Sequence, residues 1–348
     1  MAFIKFSNIG IKAVSACVPL RKESNYDLLD LMSKDELDEV IRIIGIREKR
    51  ITDPETCASD LCFNAAQELL AALNVEKEKI DLLIFMTQDG DYKIPATAPS
   101  LQHRLGLPKT TASFDFNLSC SGYIYALSTA FAYASSPGIN KVLLLDGETF
   151  SKLISMKDKA NAPLYGDAGT ATLVEKGDYG DAHFSLNSDG SGVHVLKIDA
   201  GGARNRTNSE NIDPVVAEDG NIRSPHQLYM DGMEIFNFVM VNVPKDIKDL
   251  VKYGGTNLDD VDLIVFHQAN RYMTDYFVKR LKYNISKVPY SLDRFGNTSS
   301  ASVPLTMVTE ISERKKNKVV LSGFGAGLSW GSALLDLSKT TLLPLIEK

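Results

Sequence analysis

The stretch FDFNLSCSGYIYALSTAF (residues 114–131) sets an apolar run of strand character directly before a run with helical spacing, and a cysteine stands at the joint. In open α/β sheets, ligands bind just beyond the carboxyl ends of strands. A helix start also presents unpaired N–H groups and a positive partial charge, which lower a thiol's pKa. Cys120 therefore reads either as a nucleophile facing a pocket or as one of the small buried cysteines common in cores. The rest of the chain has to decide.

Working outward, IGIKAVSACVP reads as a first strand closed by Pro19, and NYDLLDLMSKDELDEVIRIIG as one helix stopped at Gly45. ASDLCFNAAQELLAALN has apolar residues at helical spacing, with Ser59 as a candidate N-cap. IDLLIFMTQ and ASFDFNLSC are continuous apolar runs, the pattern of strands buried on both faces. KVLLLDGE and GDAGTATLVEK supply two more strands. Strands alternating with helices predict a parallel-rich sheet covered on both faces. The second half repeats the order, and VDLIVFHQAN echoes IDLLIFMTQDG: each sets Asp before an apolar strand and a polar turn after it. Two similar halves are expected, residues 1–178 and 179–348. The irregular Gly- and Asn-rich segment from about 179 to 225 is expected to be a joint or an active-site cover.

A chain of 348 residues with 44% hydrophobic content has ample material for a large core or a fused pair of domains. Its net charge of -6 argues against a general nucleic-acid binder, which needs a basic face. No run of 18 apolar residues indicates a membrane span. Four cysteines without a CxxC pair fit a reducing, cytoplasmic setting. Cys17, Cys57 and Cys62 are expected to fill strand and helix interiors, and no Cys/His spacing suggests a metal.

His267 ends the strand LIVFH, a placement that matches a catalytic imidazole or a capped, hydrogen-bonded one. Asn297 lies on the turn in RFGNTSSASVPL, where asparagine is common for local reasons, and the small residues after it let a helix pack closely. In GFGAGLSWGS, three glycines allow backbone N–H groups to approach a ligand. That loop lacks the Lys-Ser/Thr of a phosphate loop and the helix of a dinucleotide fingerprint, so a donor site for an oxyanion is the better functional reading. Together the three side chains form a chemical set. A thiolate attacks a thioester and stores an acyl group. An imidazole and an amide each donate a hydrogen bond to a second carbonyl, stabilising the enolate left by loss of CO₂.

With these residues in place, the sequence resembles the β-ketoacyl-acyl carrier protein synthase III family of thiolase-like condensing enzymes. GIREKRITDPETCASDLCFNAAQELL, FDFNLSCSGYIYAL, YGDAGTATLV, FHQANRYM, FGNTSSASVPL and GFGAGLSWGSALL match its motifs in order, over nearly the whole chain. The resemblance implies an α/β thiolase-like fold with five layers, αβαβα, two pseudo-repeated halves and a homodimer. It implies Cys120 as nucleophile, with His267 and Asn297 as the pair on the malonyl thioester. It implies the backbone N–H groups of Cys120 and Ala326 as an oxyanion hole, and Phe324 as the gate beside the departing carboxylate. No cofactor is implied: substrates arrive as coenzyme A or acyl carrier protein thioesters, malonyl-carrier protein among them.

Glu39 and Ile43 stand where well-known members carry a Trp and an Arg that grip the adenine of coenzyme A. An acidic and an apolar residue cannot do the same, which opens the acyl donor to carrier-bound or other thioesters. Arg271, Lys279, Arg280 and Lys282 form a candidate docking face for an acidic carrier protein, or an ordinary solvated helix face. The alternative activity is acyl transfer to a hydroxyl or amine without decarboxylation.

Overall fold

The computed structural model describes residues 2–348. Ten strands and six helices position the site. The strands are β1 (Ala2–Phe6), β2 (Ile9–Val18), β3 (Leu82–Met86), β4 (Ala112–Phe116), β5 (Lys141–Thr149), β6 (Asp167–Lys176), β7 (Ala182–Ser188), β8 (Leu263–Phe266), β9 (Val319–Gly325) and β10 (Ser329–Leu335). The helices are α1 (Lys34–Ile44), α2 (Ala58–Ala72), α3 (Gly122–Ser135), α4 (Gly232–Tyr253), α5 (Arg271–Leu281) and α6 (Ser302–Glu310).

Two sheets result. The first runs β2-β6-β5-β3-β4, and the second β1-β7-β10-β9-β8. In each, a parallel pair (β5 with β3, β9 with β8) adjoins antiparallel neighbours. Helices α3 and α6 lie between the sheets, α2 covers the outer face of the first, and α4 with α5 covers the outer face of the second. The result is the five layers αβαβα. Strand β3 shows why its sequence is apolar at every position. Leu82, Ile84 and Met86 join the core between the sheets, while Leu83 and Phe85 join the core under α2.

The two ends of the chain are exchanged between the halves. β1 pairs with β7 in the second sheet, while Thr341–Leu342 and Ile346–Glu347 pair with β2 in the first.

Several local expectations are corrected. The long helix before Gly45 is a 3-10 turn, Asn25–Leu28, followed by α1 with Ser33 as N-cap and a capping box closed by Glu36. Cys57 rather than Ser59 precedes α2, and Ser59 is buried inside it, donating to Asp91. Cys57 is half-buried, unlike Cys17 and Cys62. β4 is an edge strand with its side chains half-exposed, since among the described residues nothing pairs its outer side. Part of the irregular segment is β7, which sits inside the second sheet between β1 and β10. The remainder carries short paired pieces, among them Leu196–Lys197 against Tyr229–Met230, and contributes Leu196 to the cavity wall. Among the described residues no helix is long and apolar enough to cross a membrane.

Candidate active site

Cys120 follows β4 and precedes α3, whose first residue is Gly122. The backbone closes tightly here: the Gly122 N–H donates to the Ser119 carbonyl at 2.6 Å. A Cβ on Gly122 would come within 2.3 Å of the Met86 Cε, so a larger residue at the joint would have to displace the Met86 side chain. Gly325 packs on the nucleophile from the other half, where an added Cβ would lie 2.8 Å from the Cys120 Cβ and 3.2 Å from its Sγ. Gly325 thus makes room for the thiol itself.

Cys120 is buried, and burial pushes its thiol above the ordinary cysteine value. The Ser299 and Ser119 hydroxyls, at 3.5 and 3.6 Å from Sγ, oppose that shift. The lowering expected from the helix start is therefore outweighed: desolvation is the larger effect on the resting thiol.

His267 follows β8, with its N–H on the Ser322 carbonyl at 2.7 Å. The imidazole is almost fully buried, and burial holds its pKa down to about 3, so the ring is neutral. Its Nδ1 lies 2.8 Å from the Ser302 Oγ. Phe324 packs edge-on against it at 5.2 Å between ring centroids.

Asn297 is held from three sides. Its N–H donates to the Leu164 carbonyl, its carbonyl accepts from the Gly166 N–H, and its Oδ1 accepts from the Ser299 N–H at 2.9 Å. Among the described residues nothing accepts from Nδ2, which leaves the amide as a donor. The loop is tightly turned: Gly296 has φ +69°, and Ser299 adopts φ 52°, a conformation unfavourable for a residue with a side chain. That turn aims the Ser299 hydroxyl at the thiol.

Cys120, His267, Asn297 and Phe324 line one cavity of about 370 Å³. Gly325 lines it too, and Ala326 follows at the start of the hairpin turn, its carbonyl accepting from the Ser329 Oγ. The outer walls are apolar, with Met230, Met233, Phe236 and Tyr272, and none of the lining residues is charged. Among the described residues no group of His, Cys, Asp and Glu could hold a metal ion.

The structure does not gather the four basic residues at one point. Arg271 stands beside the lining residues Asn270 and Tyr272, but is paired with Asp275 at 2.9 Å and stacked on Tyr290. Lys279, Arg280 and Lys282 are exposed at the other end of α5, about 12–16 Å further along the helix at 1.5 Å per residue. On α1, Glu39 holds Arg42 through two hydrogen bonds of 3.0 and 2.6 Å, and Ile43 is exposed. By sequence pattern Ser299 and Ser302 are small packing residues, a reading that misses their hydroxyls. It also misses Tyr165, which lines the cavity, pairs with Asn297 through its backbone and stacks on Phe150. The signal available is the density of hydroxyls directly after Asn297.

A thiol on one half and an imidazole and amide on the other, converging on one apolar cavity in a five-layered fold, define a thiolase-like condensing enzyme. Residues 114–190 match the model for 3-oxoacyl-[acyl-carrier-protein (ACP)] synthase III, and residues 252–337 match that for its C-terminal region. The chain is 37% identical to a Campylobacter jejuni protein named for 3-oxoacyl-[acyl-carrier-protein] synthase 3, covering 95% of each chain. It is 33% identical to a β-ketoacyl-[acyl-carrier-protein] synthase III of Desulfitobacterium hafniense, covering 95% of this chain and 98% of the other. The crystal structure of a 3-oxoacyl-(acyl-carrier protein) synthase from Burkholderia xenovorans superposes with a TM-score of 0.93 at 35% identity, covering 100% and 99%. The chain belongs to the β-ketoacyl-[acyl-carrier-protein] synthase III family. It is a condensing acyltransferase with the thiolase-like fold.

Proposed function

We propose that this enzyme joins an acyl group to malonyl-acyl carrier protein by decarboxylating Claisen condensation, through an acyl-Cys120 intermediate, in fatty-acid or related lipid synthesis. The observation that carries the reading is the convergence of Cys120, His267 and Asn297 on one uncharged cavity.

In the first half-reaction the Cys120 sulfur attacks the thioester carbonyl. The carbon–sulfur bond of the donor breaks, and the thiol proton leaves with the departing thiol. The Cys120 and Ala326 N–H groups hold the oxyanion of this step. In the second, the malonyl carboxylate leaves as CO₂ and its electrons pass to the enolate. The His267 Nε2–H and the Asn297 Nδ2–H bind the enolate oxygen. The enolate carbon then attacks acyl-Cys120, and the cysteine leaves as thiolate, to be reprotonated from solvent. Phe324, against His267, keeps water from the malonyl carboxylate, where a dry surround favours loss of charge as CO₂.

The uncharged walls suit the neutral pantetheine arm that coenzyme A and carrier protein share. Glu39 and Ile43 offer a nucleotide no phosphate or stacking partner, which favours a carrier-bound donor. Lys279, Arg280 and Lys282 would meet an acidic carrier, with Arg271 at the cavity side. The half-exposed edge of β4 suits pairing with a second copy of the chain. No cofactor is required, because the thioester and CO₂ loss drive the reaction. A cytoplasmic enzyme fits this chemistry.

Intact-mass analysis after incubation with acyl-coenzyme A and acyl-carrier thioesters tests the reading. An adduct on Cys120, absent in Cys120→Ala, should clear on adding malonyl-carrier protein, with CO₂ and a β-ketoacyl product. An adduct that malonyl-carrier protein neither clears nor decarboxylates would overturn condensation in favour of transfer to a hydroxyl or amine.

A further inference from the structure

Ser302 is the first residue of α6, is buried, and is not among the residues lining the active-site cavity. Its Oγ nevertheless stands at the centre of three groups. It accepts from the Gln268 N–H at 3.1 Å, lies 2.8 Å from the His267 Nδ1, and lies 2.7 Å from the Ser299 carbonyl oxygen. A hydroxyl has one proton and two lone pairs. The Gln268 amide can only donate and the Ser299 carbonyl can only accept. The imidazole nitrogen can do either, according to its tautomer.

Two proton arrangements satisfy this geometry. If Ser302 donates to Ser299, Nδ1 must carry the imidazole proton and donate to Oγ, which leaves a bare lone pair on Nε2. If Ser302 donates to Nδ1, the proton sits on Nε2. The neutral ring has one N–H, so the two arrangements are exclusive. The Ser299 carbonyl already accepts from the Ser302 backbone N–H, so turning the hydroxyl away does not strand it. Among the described residues, the Ser302 Oγ is the one hydrogen-bond partner of Nδ1 that can donate to it.

We propose that Ser302 is a positioning residue that donates its hydroxyl proton to His267 Nδ1 and so fixes the imidazole as an Nε2–H donor. The inference rests on the reading of His267 given above. A lone pair on Nε2 would repel the enolate oxygen that CO₂ loss creates, whereas an N–H binds it. The acyl-transfer half asks nothing of that hydrogen bond, so Ser302 serves one half-reaction and not the other.

The Ser299 carbonyl, an acceptor, also meets the imidazole, so removing the hydroxyl leaves no donor to Nδ1 and favours the wrong tautomer. Ser302→Ala should slow CO₂ release from malonyl-carrier protein by about tenfold or more, the lower end of what losing one oxyanion donor costs. Acyl-Cys120 formation, followed by intact mass, should stay within about threefold of wild type. Ser302→Thr keeps the hydroxyl and should restore CO₂ release. In protein carrying ¹⁵N-labelled histidine, the His267 Nε2 should be the protonated nitrogen in wild type and the bare one in Ser302→Ala. Equal loss in both half-reactions, loss in neither, or an unchanged tautomer would overturn the proposal. His267→Ala separates its failure from that of the parent reading. If that variant releases CO₂ at the wild-type rate, the role of His267 is wrong and Ser302 falls with it. If it is defective while Ser302→Ala is not, the Ser302 inference alone is lost.

Discussion

The two halves solve the same folding problem and then diverge beyond the ends of their matching strands. In each, an aspartate precedes a buried strand and caps the neighbouring one: Asp81 accepts from the Asn140 and Lys141 N–H groups, and Asp262 accepts from those of Asn317 and Lys318. In each, the strand ends with a backbone bond to the next, Thr87 to Phe116 and His267 to Ser322. Beyond that bond the halves part. Thr87 and Gln88 meet the buried carboxylate of Glu148. His267 turns its imidazole toward the cavity. The central helices diverge likewise: α3 follows the thiol, while α6 follows the amide of Asn297 and supplies the Ser302 hydroxyl. On the mechanism proposed above, this duplicated frame would assign acyl storage to the first half and decarboxylation to the second.

The sharpest way to break that division is Asn297→Ala. It removes a donor to the enolate and leaves the thiol in place. CO₂ release should fall by about 10²–10³-fold, the usual effect of losing one such donor. Acyl-enzyme formation should persist, measured on the same sample by intact mass. Loss of both activities together would show that the halves do not work separately.

Much of this division is legible in the sequence. The joint at Cys120, the strand end at His267 and the Asp-strand-turn echo depend on local pattern, because a strand buried on both faces must be apolar at every position. The exchange of β1 and the C-terminal strands is not legible, since pairing across more than 170 residues leaves no local periodicity. Nor is the exposure of β4: Phe114 and Phe116 read as core, but among the described residues the outer side of this edge strand has no neighbour. Ser299 and Ser302 read as small rather than as hydroxyls, because a side chain's partner in a buried network is set by the tertiary approach of other loops.

A second test presses on the contact between halves at the nucleophile. Gly325→Ala puts a methyl group 2.8 Å from the Cys120 Cβ, closer than packing allows. The thiol must move, and acyl-enzyme formation should slow by between about tenfold and a hundredfold, as for other small misplacements of a reacting atom. Decarboxylation by the second-half pair should suffer less. An acylation rate equal to wild type would mean that the joint has slack which these distances do not suggest.

The smallest expected effect concerns a bond that ties the halves together rather than either chemistry. Asp146, on β5 of the first half, accepts from the Ser300 hydroxyl of the second at 2.6 Å, and its other oxygen is buried without a partner. Burial pushes its pKa up to about 8. An unfolded aspartate ionises near pH 4. The folded state therefore holds this proton more tightly than the unfolded one. Its contribution to stability is complete below about pH 4, declines as pH rises, and is gone above the folded value near 8. Asp146→Asn preserves the acceptor for Ser300 and places a neutral NH₂ where the second oxygen stood. Turnover at pH 7 should change little. Melting temperatures should separate with pH, the variant gaining a few degrees on the wild type between pH 5 and pH 9. Parallel curves would mean that Asp146 keeps its charge in the folded protein, with the Ser300 hydroxyl solvating it, and that the two halves meet across an ionised carboxylate rather than a neutral acid.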